Sequence, residues 1–257
     1  MRHPSLGQHF LTRPEIAGWV ADAARLNPNS TVLEIGPGRG ILTRELLMRA
    51  GEVVALERDP ALVTVLRDEF RAEIEQGTLL VLEDDVRNFT PETCEALSGG
   101  YSLVANIPYY ITGKILRMFL TAEHQPDSMV LLVQKEVAER VVAKEGKESL
   151  LSLSVAAYGT PEYVRTVKAG SFSPPPKVDS AILAIRDISR GNFQNTEAEQ
   201  RFFNCIHAGF ASKRKVLGKQ LADLIPTERL EHCGIPKNTR AEDVPLECWL
   251  CLTEPNN

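Results

Sequence analysis

The sequence predicts an α/β fold carrying a mostly parallel sheet, followed by a small helical region. Three observations predict it. Between residues 31 and 134, short apolar runs alternate with stretches whose apolar residues recur at helical spacing. A glycine-rich turn follows the first of those runs directly, as expected where a strand hands over to a helix. Beyond Arg190 the strand-like runs stop and the pattern turns helical, with Pro226, Pro236 and Pro245 as breaks. Strands alternating with helices place helices on both faces of a parallel sheet.

Taken in order, residues 31–35 form a strand stopped by glycines, and residues 41–50 a helix. Residues 53–57 form a second strand, followed by a helical stretch over 60–75. Strands at 78–82, 102–105 and 129–134 repeat the theme, with helix-like segments between them. A charged helical stretch over 135–144 leads through the polar loop 145–148 to an apolar run at 150–158. Two later strands, 163–167 and 178–185, flank the proline-rich segment 173–177 and bring the sheet to seven strands. The expected division is an α/β domain over 1–188 and a small helical domain over 189–257.

Composition narrows the class. With 257 residues, 43% hydrophobic and 25% charged, the chain has the make-up of a folded globular protein and not of a disordered one. The uncharged run 96–113 is interrupted by Ser98, Gly99, Gly100, Asn106 and Pro108, so it is not a membrane span. The first residues, Met1-Arg2-His3-Pro4, lack the apolar core of a signal peptide, and the five cysteines are too unevenly placed for a disulfide framework. Reduced thiols and a cytoplasmic location are the expectation. The net charge is −5, and the excess lies in the middle of the chain: residues 31–189 carry −6, whereas 190–257 are neutral. A nucleic-acid partner would therefore be met by a local basic patch.

The first strand ends in Glu34-Ile-Gly36-Pro-Gly38-Arg-Gly40, the glycine-rich turn of a Rossmann-like fold, where missing side chains let a ligand approach the backbone and the next helix. Ile41 stands where a dinucleotide fingerprint would continue, and no Gly-Lys-Ser/Thr follows. The G-x-G-x-G spacing with an acid two residues ahead is similar to the first motif of S-adenosylmethionine-dependent methyltransferases; another nucleotide or a merely tight turn is the alternative. Glu57 ends the second strand about 20 residues on, where a carboxylate accepts from ribose hydroxyls. Asp85 follows the third strand, placed to accept from an adenine amine; Asp84 is its rival, and a solvated acidic loop the bland reading.

The fourth strand runs into Asn106-Ile-Pro108-Tyr109, at the carboxyl edge where open α/β sheets bind ligands. This segment resembles the N/D-P-P-Y/F motif of methyltransferases acting on amino groups of bases. An exocyclic amine shares its lone pair with the ring. The Asn106 oxygen and a backbone carbonyl at Ile107 or Pro108 can accept its two N–H groups, which favours a pyramidal nitrogen aimed at an electrophilic methyl. Tyr109 would stack on the base. Because a paired base is shielded, such an enzyme needs a flipped or unpaired target, and Phe172 is a candidate second face, or simply a hydrophobic loop-edge residue.

Together with Ser5-Leu-Gly7-Gln8-His9-Phe10-Leu11, Gln134-Lys-Glu-Val-Ala-Glu-Arg140, the segment Phe172 to Ser180, Phe210 to Leu217 and Arg240-Ala-Glu-Asp-Val-Pro-Leu246, these motifs resemble the ribosomal RNA adenine dimethylase family over nearly the whole chain. The resemblance implies transfer of two methyl groups from S-adenosylmethionine to N6 of each of two adjacent adenosines, in a hairpin loop near the 3′ end of small-subunit rRNA. It implies a class I methyltransferase domain acting as a monomer on the small ribosomal subunit. It also implies that Gln8, His9 and Leu11 line the cofactor with Glu34, Gly36, Gly38, Glu57, Asp85 and Asn106. The sequence departs from the family at Glu83, where glycine is common, and at Glu148-Ser149, where Tyr-Gly is frequent.

Three other readings stay open. One is the sister family that dimethylates large-subunit rRNA and confers macrolide resistance, which Pro37 and Arg240-Ala-Glu disfavour. Another is a non-catalytic ribosome-assembly factor, against which Glu57, Asp85 and Asn106 speak. The third is a small-molecule or protein methyltransferase. Lys213, Arg214 and Lys215, with Lys219, are candidates for gripping phosphates or form a solvated helix face; Lys135, Arg140 and Lys144 line an RNA surface or pair with Glu136 and Glu139. Cys248-Trp-Leu-Cys251 has metal-pair spacing but no second pair, so a packed helix and no metal are expected.

Overall fold

In the computed structural model, residues 9–212 and 214–254 are described. The first element is a two-residue strand, β1 (Phe10–Leu11), followed by β2 (Thr31–Ile35), β3 (Glu52–Glu57), β4 (Leu79–Glu83), β5 (Ser102–Asn106), β6 (Ser128–Gln134), β7 (Thr160–Val167), β8 (Phe172–Ser173) and β9 (Ser180–Arg186). Seven of these form one sheet in the order β4-β3-β2-β5-β6-β9-β7, while β1 and β8 form a separate antiparallel pair. The ladder from β4 to β6 is parallel throughout, and β9 runs antiparallel to β6. Strands covered on both faces need apolar side chains on both, and Val53 to Ala55, Leu103 to Ala105 and Met129 to Val133 are all fully buried. At the β4 edge, Leu80 is exposed.

The helices are α1 (Pro14–Ala23), α2 (Ile41–Leu47), α3 (Pro60–Glu69), α4 (Arg71–Glu75), α5 (Thr112–Leu120), α6 (Lys135–Val141), α7 (Leu150–Ala156), α8 (Thr196–Gly209), α9 (Leu217–Gln220), α10 (Thr227–His232) and α11 (Leu246–Thr253). Ile16, Ala17, Val20 and Ala21 make the buried stripe of α1, and Ile115, Leu116, Phe119 and Leu120 that of α5. The helical stretch expected over 60–75 breaks at Phe70, which leaves helical geometry and buries its ring over the glycine turn. A Cβ on Gly40, whose φ is +78°, would lie 2.4 Å from the Phe70 ring. Glycine is therefore required there twice over, for the turn and for the ring.

Packing divides the chain into two units: Met1–Ala138 with Glu162–Ile188, and Glu139–Pro161 with Ser189–Asn257. The first holds the sheet. In the second, the apolar run after Ser149 is helix α7, started by a capping box in which the Ser149 hydroxyl accepts from the Ser152 N–H at 3.0 Å and Ser152 Oγ accepts from the Ser149 N–H at 2.7 Å. Asn195 caps α8 in the same manner, accepting from Ala198 N–H. Pro226 and Pro245 stand immediately before α10 and α11, so these prolines start helices as well as breaking the pattern. Trp249 on α11 is fully buried, and its indole N–H donates to the Val244 carbonyl at 3.1 Å.

The cysteine expectation is corrected here. Cys233, at the end of α10, and Cys251, on α11, are joined by a disulfide, while Cys94, Cys205 and Cys248 are free. The pair is 18 residues apart in sequence, and only the packing of α10 against α11 brings the Cα atoms to 5.8 Å. Arg229 ties the same two helices by donating to the Cys251 carbonyl at 2.5 Å. Among the described residues no helix is long and apolar enough to cross a membrane.

Candidate active site

The order of the sheet fixes where a ligand can sit. From β2 the chain moves outward to β3 and β4, then returns to the other side of β2 as β5. The carboxyl ends of β2 and β5 thus form the switch point, the crevice where open α/β sheets bind ligands. Gly36 closes β2 and Asn106 closes β5. A Cβ on Gly36 would lie 3.9 Å from the Asn106 carbonyl oxygen, so the glycine turn and the β5 end face each other.

Gly36, Gly38 and Gly40 all have positive φ, and their turn is tied down by Gly36 N–H to the Leu56 carbonyl (2.9 Å) and Gly40 N–H to the Pro37 carbonyl (3.0 Å). Glu57 is the central tie. Its Oε2 accepts from Gly38 N–H at 3.1 Å, and its Oε1 accepts from Arg58 N–H at 2.9 Å and Asp59 N–H at 3.0 Å. Only 4% of Glu57 is exposed, yet it lines the pocket with acceptor capacity left on Oε2. The pocket is walled by His9, Leu11, Glu34, Gly36, Gly38, Asn106 and Pro108 from the sequence-derived set, and by Phe10, Pro37, Arg39, Ile41 and Leu42. The sequence signal for the second group is position alone: they neighbour named residues or open the helix after the glycines.

Glu34 is buried on β2, and its Oε2 accepts from the Thr43 hydroxyl at 2.6 Å. Burial pushes its carboxyl up to about 8; the Thr43 bond opposes this and the charge of Glu57 adds to it. The native state therefore holds a proton that the unfolded chain gives up from about pH 4.5. Stability should fall as pH rises between those two values, by up to about 1.4 kcal/mol per pH unit, and level off above about 8. Glu34→Gln is expected to flatten that slope in urea unfolding across pH 5–9; an unchanged slope removes Glu34 as its source.

Asn106 is held from the N-terminal arm. Its Nδ2 donates to the His9 carbonyl at 3.1 Å, which leaves Oδ1 as an acceptor for a ligand N–H. The His9 ring in turn contacts the Pro174 carbonyl through Nδ1 at 2.7 Å and lies 5.6 Å from the Tyr109 ring. Tyr109 is anchored by its hydroxyl on Ser180 Oγ at 2.5 Å, and burial raises the phenol's pKa. Its neighbour Tyr110 is 70% exposed, an aromatic face that the Tyr-Tyr pair in the sequence could have signalled.

Three expected site residues among those described, Asp85, Tyr109 and Phe172, stand apart from the pocket wall. Asp85, past the end of β4, is paired with Arg87, whose guanidinium holds its carboxyl down to about 2. Asp84 instead accepts from the Asp85 N–H. Phe172 is 4% exposed: the pairing of β8 with β1 sets it opposite Leu11 and turns its ring into the core, so it presents no stacking face. Gln8 lies outside the described residues, as does Lys213. Arg214 and Lys215 are exposed in the turn between α8 and α9, so the helix-face alternative does not apply to them. Gln220 shapes that turn, accepting from Ser212 N–H and donating to the Gly209 carbonyl. In the first unit, Lys135 opens α6 and donates its N–H to the Asp179 carbonyl; in the second, Arg140 is exposed on the same helix.

Comparison with known proteins bears on the family and the fold. The family described as Ribosomal RNA adenine dimethylase matches residues 1–255. The Ribosomal RNA small subunit methyltransferase A of Dehalococcoides mccartyi is 42% identical over 98% of this chain and 88% of its own length. Among solved structures, the 23S rRNA methyltransferase ErmE superposes with a TM-score of 0.80 at 29% identity, covering 95% of this chain and 98% of that one. A dimethyladenosine transferase from Plasmodium falciparum gives the same TM-score at 25% identity, over 95% and 96% of the two chains.

Proposed function

The chain belongs to the ribosomal RNA adenine dimethylase family, and we propose that it transfers methyl groups from S-adenosylmethionine to N6 of two adjacent adenosines in a hairpin loop near the 3′ end of small-subunit rRNA. The observation that carries this reading is the Asn106 amide, whose donor is taken by the His9 carbonyl, which leaves its oxygen as an acceptor on a residue that lines the same pocket as the glycine turn.

The residues present fit the cofactor. Gly38 has φ +61° and a Cβ there would meet the Phe10 ring at 3.0 Å, so glycine keeps both the turn and the Phe10 ring in place along the pocket wall. Glu57 supplies ribose acceptors, the buried and protonated Glu34 lines the same pocket, and Asp85, apart from that wall and paired with Arg87, is assigned to the adenine amine. When bound, S-adenosylmethionine supplies an electrophilic sulfonium methyl. Asn106 Oδ1 and the carbonyl of Ile107 or Pro108 accept the two N–H groups of the target amine and orient its lone pair in line with that methyl. Tyr109, its hydroxyl fixed on Ser180, gives a rigid platform for the base. No strong general base is needed, because the nitrogen becomes more acidic as the new C–N bond forms.

The small-subunit assignment rests on the full-length relatives at 33–42% identity that carry that name, against 29% for the large-subunit enzyme. The chain is proposed to act as a monomer, and a ribosomal substrate supports a cytoplasmic location. Phosphate contacts are assigned to Arg214 and Lys215, with Lys213, and to Lys135 and Arg140. The test is tritiated methyl transfer to undermethylated small and large subunits in parallel. Incorporation into small subunits, as N6-dimethyladenosine at adjacent positions, is expected. Label only in large subunits establishes the sister activity, and label in neither leaves a non-catalytic assembly factor.

A further inference from the structure

We propose that Arg87 couples the two substrates: it competes with the cofactor's adenine for Asp85, and once displaced it serves as an RNA-phosphate contact beside Tyr110. The inference rests on the reading of Asp85 as the adenine acceptor.

The geometry around Asp85 is crowded with donors. Its Oδ1 accepts from the Arg87 backbone N–H at 2.9 Å and from Arg87 Nε at 2.9 Å. Its Oδ2 accepts from Nε at 3.0 Å and from Nη2 at 2.5 Å. A carboxylate has about four lone-pair directions, and one arginine engages nearly all of them. An adenine amine that is to donate to Asp85 must take at least one from the guanidinium.

The arrangement allows that exchange. The Asp85 side chain is 14% exposed and that of Arg87 is 55% exposed, so the cation can return to water at little cost while the carboxylate stays in place. Arg58, with Nη1 at 3.7 Å from Oδ2, remains as a second cation, and Asp84 holds the Asp85 backbone N–H. The carboxylate thus keeps its charge and position when Arg87 leaves. Arg87 also lies close enough to the Tyr110 hydroxyl for the two to interact electrostatically. Tyr110 is the exposed neighbour of the tyrosine proposed to carry the target base, so a released guanidinium is delivered to the RNA side of the site. Paired with Asp85 it is neutralised as a phosphate ligand; freed, it is a bidentate one. Linkage makes the effect reciprocal: bound cofactor product should tighten RNA binding, and bound RNA should tighten the cofactor by the same factor.

The test titrates S-adenosylhomocysteine calorimetrically into wild type, Arg87→Ala, Arg87→Lys and Asp85→Ala, and measures affinity for undermethylated small subunits with and without saturating S-adenosylhomocysteine. Arg87→Ala should bind S-adenosylhomocysteine up to about fivefold tighter, because a competitor is gone. Wild type should hold subunits about fivefold tighter with the nucleoside than without; that ratio should fall to one in Arg87→Ala and recover in part in Arg87→Lys. Weaker nucleoside binding by Arg87→Ala, or an unchanged ratio, overturns the coupling. Asp85→Ala separates the two layers. If it binds S-adenosylhomocysteine as wild type does, the adenine reading fails and the coupling with it. If it binds more weakly while Arg87→Ala does not tighten, only the coupling fails.

Discussion

Asn106→Ala is expected to lower turnover by about a hundred- to a thousandfold while leaving cofactor affinity within about fivefold of wild type. Two bonds are at stake. One is the proposed acceptor bond from the target amine to Oδ1, which aligns the lone pair and matters most as the nitrogen becomes tetrahedral, so its loss appears in kcat. The other is the Nδ2 bond to the His9 carbonyl, which positions the arm whose His9, Phe10 and Leu11 line the pocket. One neutral hydrogen bond contributes about 1 kcal/mol, which sets the small effect on the cofactor. Single-turnover methyl transfer paired with calorimetric titration separates the two. Near-normal dimethylation by the variant would remove Asn106 from the chemistry.

Glu57→Ala should damage both the cofactor site and the fold. The sequence assigns Glu57 to the ribose, and the structure adds that it accepts from the backbone N–H groups of Gly38, Arg58 and Asp59. Alanine leaves three donors without their partner at a position only 4% exposed. The Gly38 donor is buried and its stranding costs about 1–3 kcal/mol, while those of Arg58 and Asp59 are part-buried and reach water, so a loss of about 3 kcal/mol in unfolding free energy is expected. Cofactor affinity should fall more than about a hundredfold, because the ribose acceptor and the shape of the glycine turn are lost together. Urea unfolding and titration of the same preparation measure both. A variant that keeps full stability yet binds cofactor weakly would show that Glu57 serves the ligand and not the loop.

The sheet was readable because burial on both faces leaves a mark in the chain. The runs at 31–35 and 129–134 stand out as apolar segments, and they correspond to β2 and β6 within a residue. The glycine turn was readable because positive φ selects for glycine at 36, 38 and 40. The β1–β8 pair and α1 left no such mark: two-residue strands have no period, and Arg13, which precedes α1, gives it no side-chain cap. The break at Phe70 was hidden because residues 60–75 keep their helical pattern through it, and what ends α3 is the space above Gly40.

The acidity of the chain is compatible with an RNA substrate. Its excess lies outside the C-terminal segment, where Arg214 and Lys215 stand exposed in a turn shaped by Gln220. Phosphate contacts through the five cations proposed above would make log affinity fall with log salt with a slope of about −4, specificity coming from the folded ribosomal surface.

By itself the sequence determined the fold class and the family, because these depend on local pattern: burial, turn geometry, and motifs read over a few residues. The tertiary structure alone decided which groups meet. It set the Asn106 donor on the His9 carbonyl and so assigned the free acceptor, gave Glu57 a second duty in the glycine turn, placed Arg87 on Asp85, turned Phe172 into the core, and joined Cys233 to Cys251. Each of these pairings depends on where a side chain's few hydrogen-bonding or bonding directions point after packing. Directionality of that kind is fixed by the neighbours that folding brings close, and chain order does not record it.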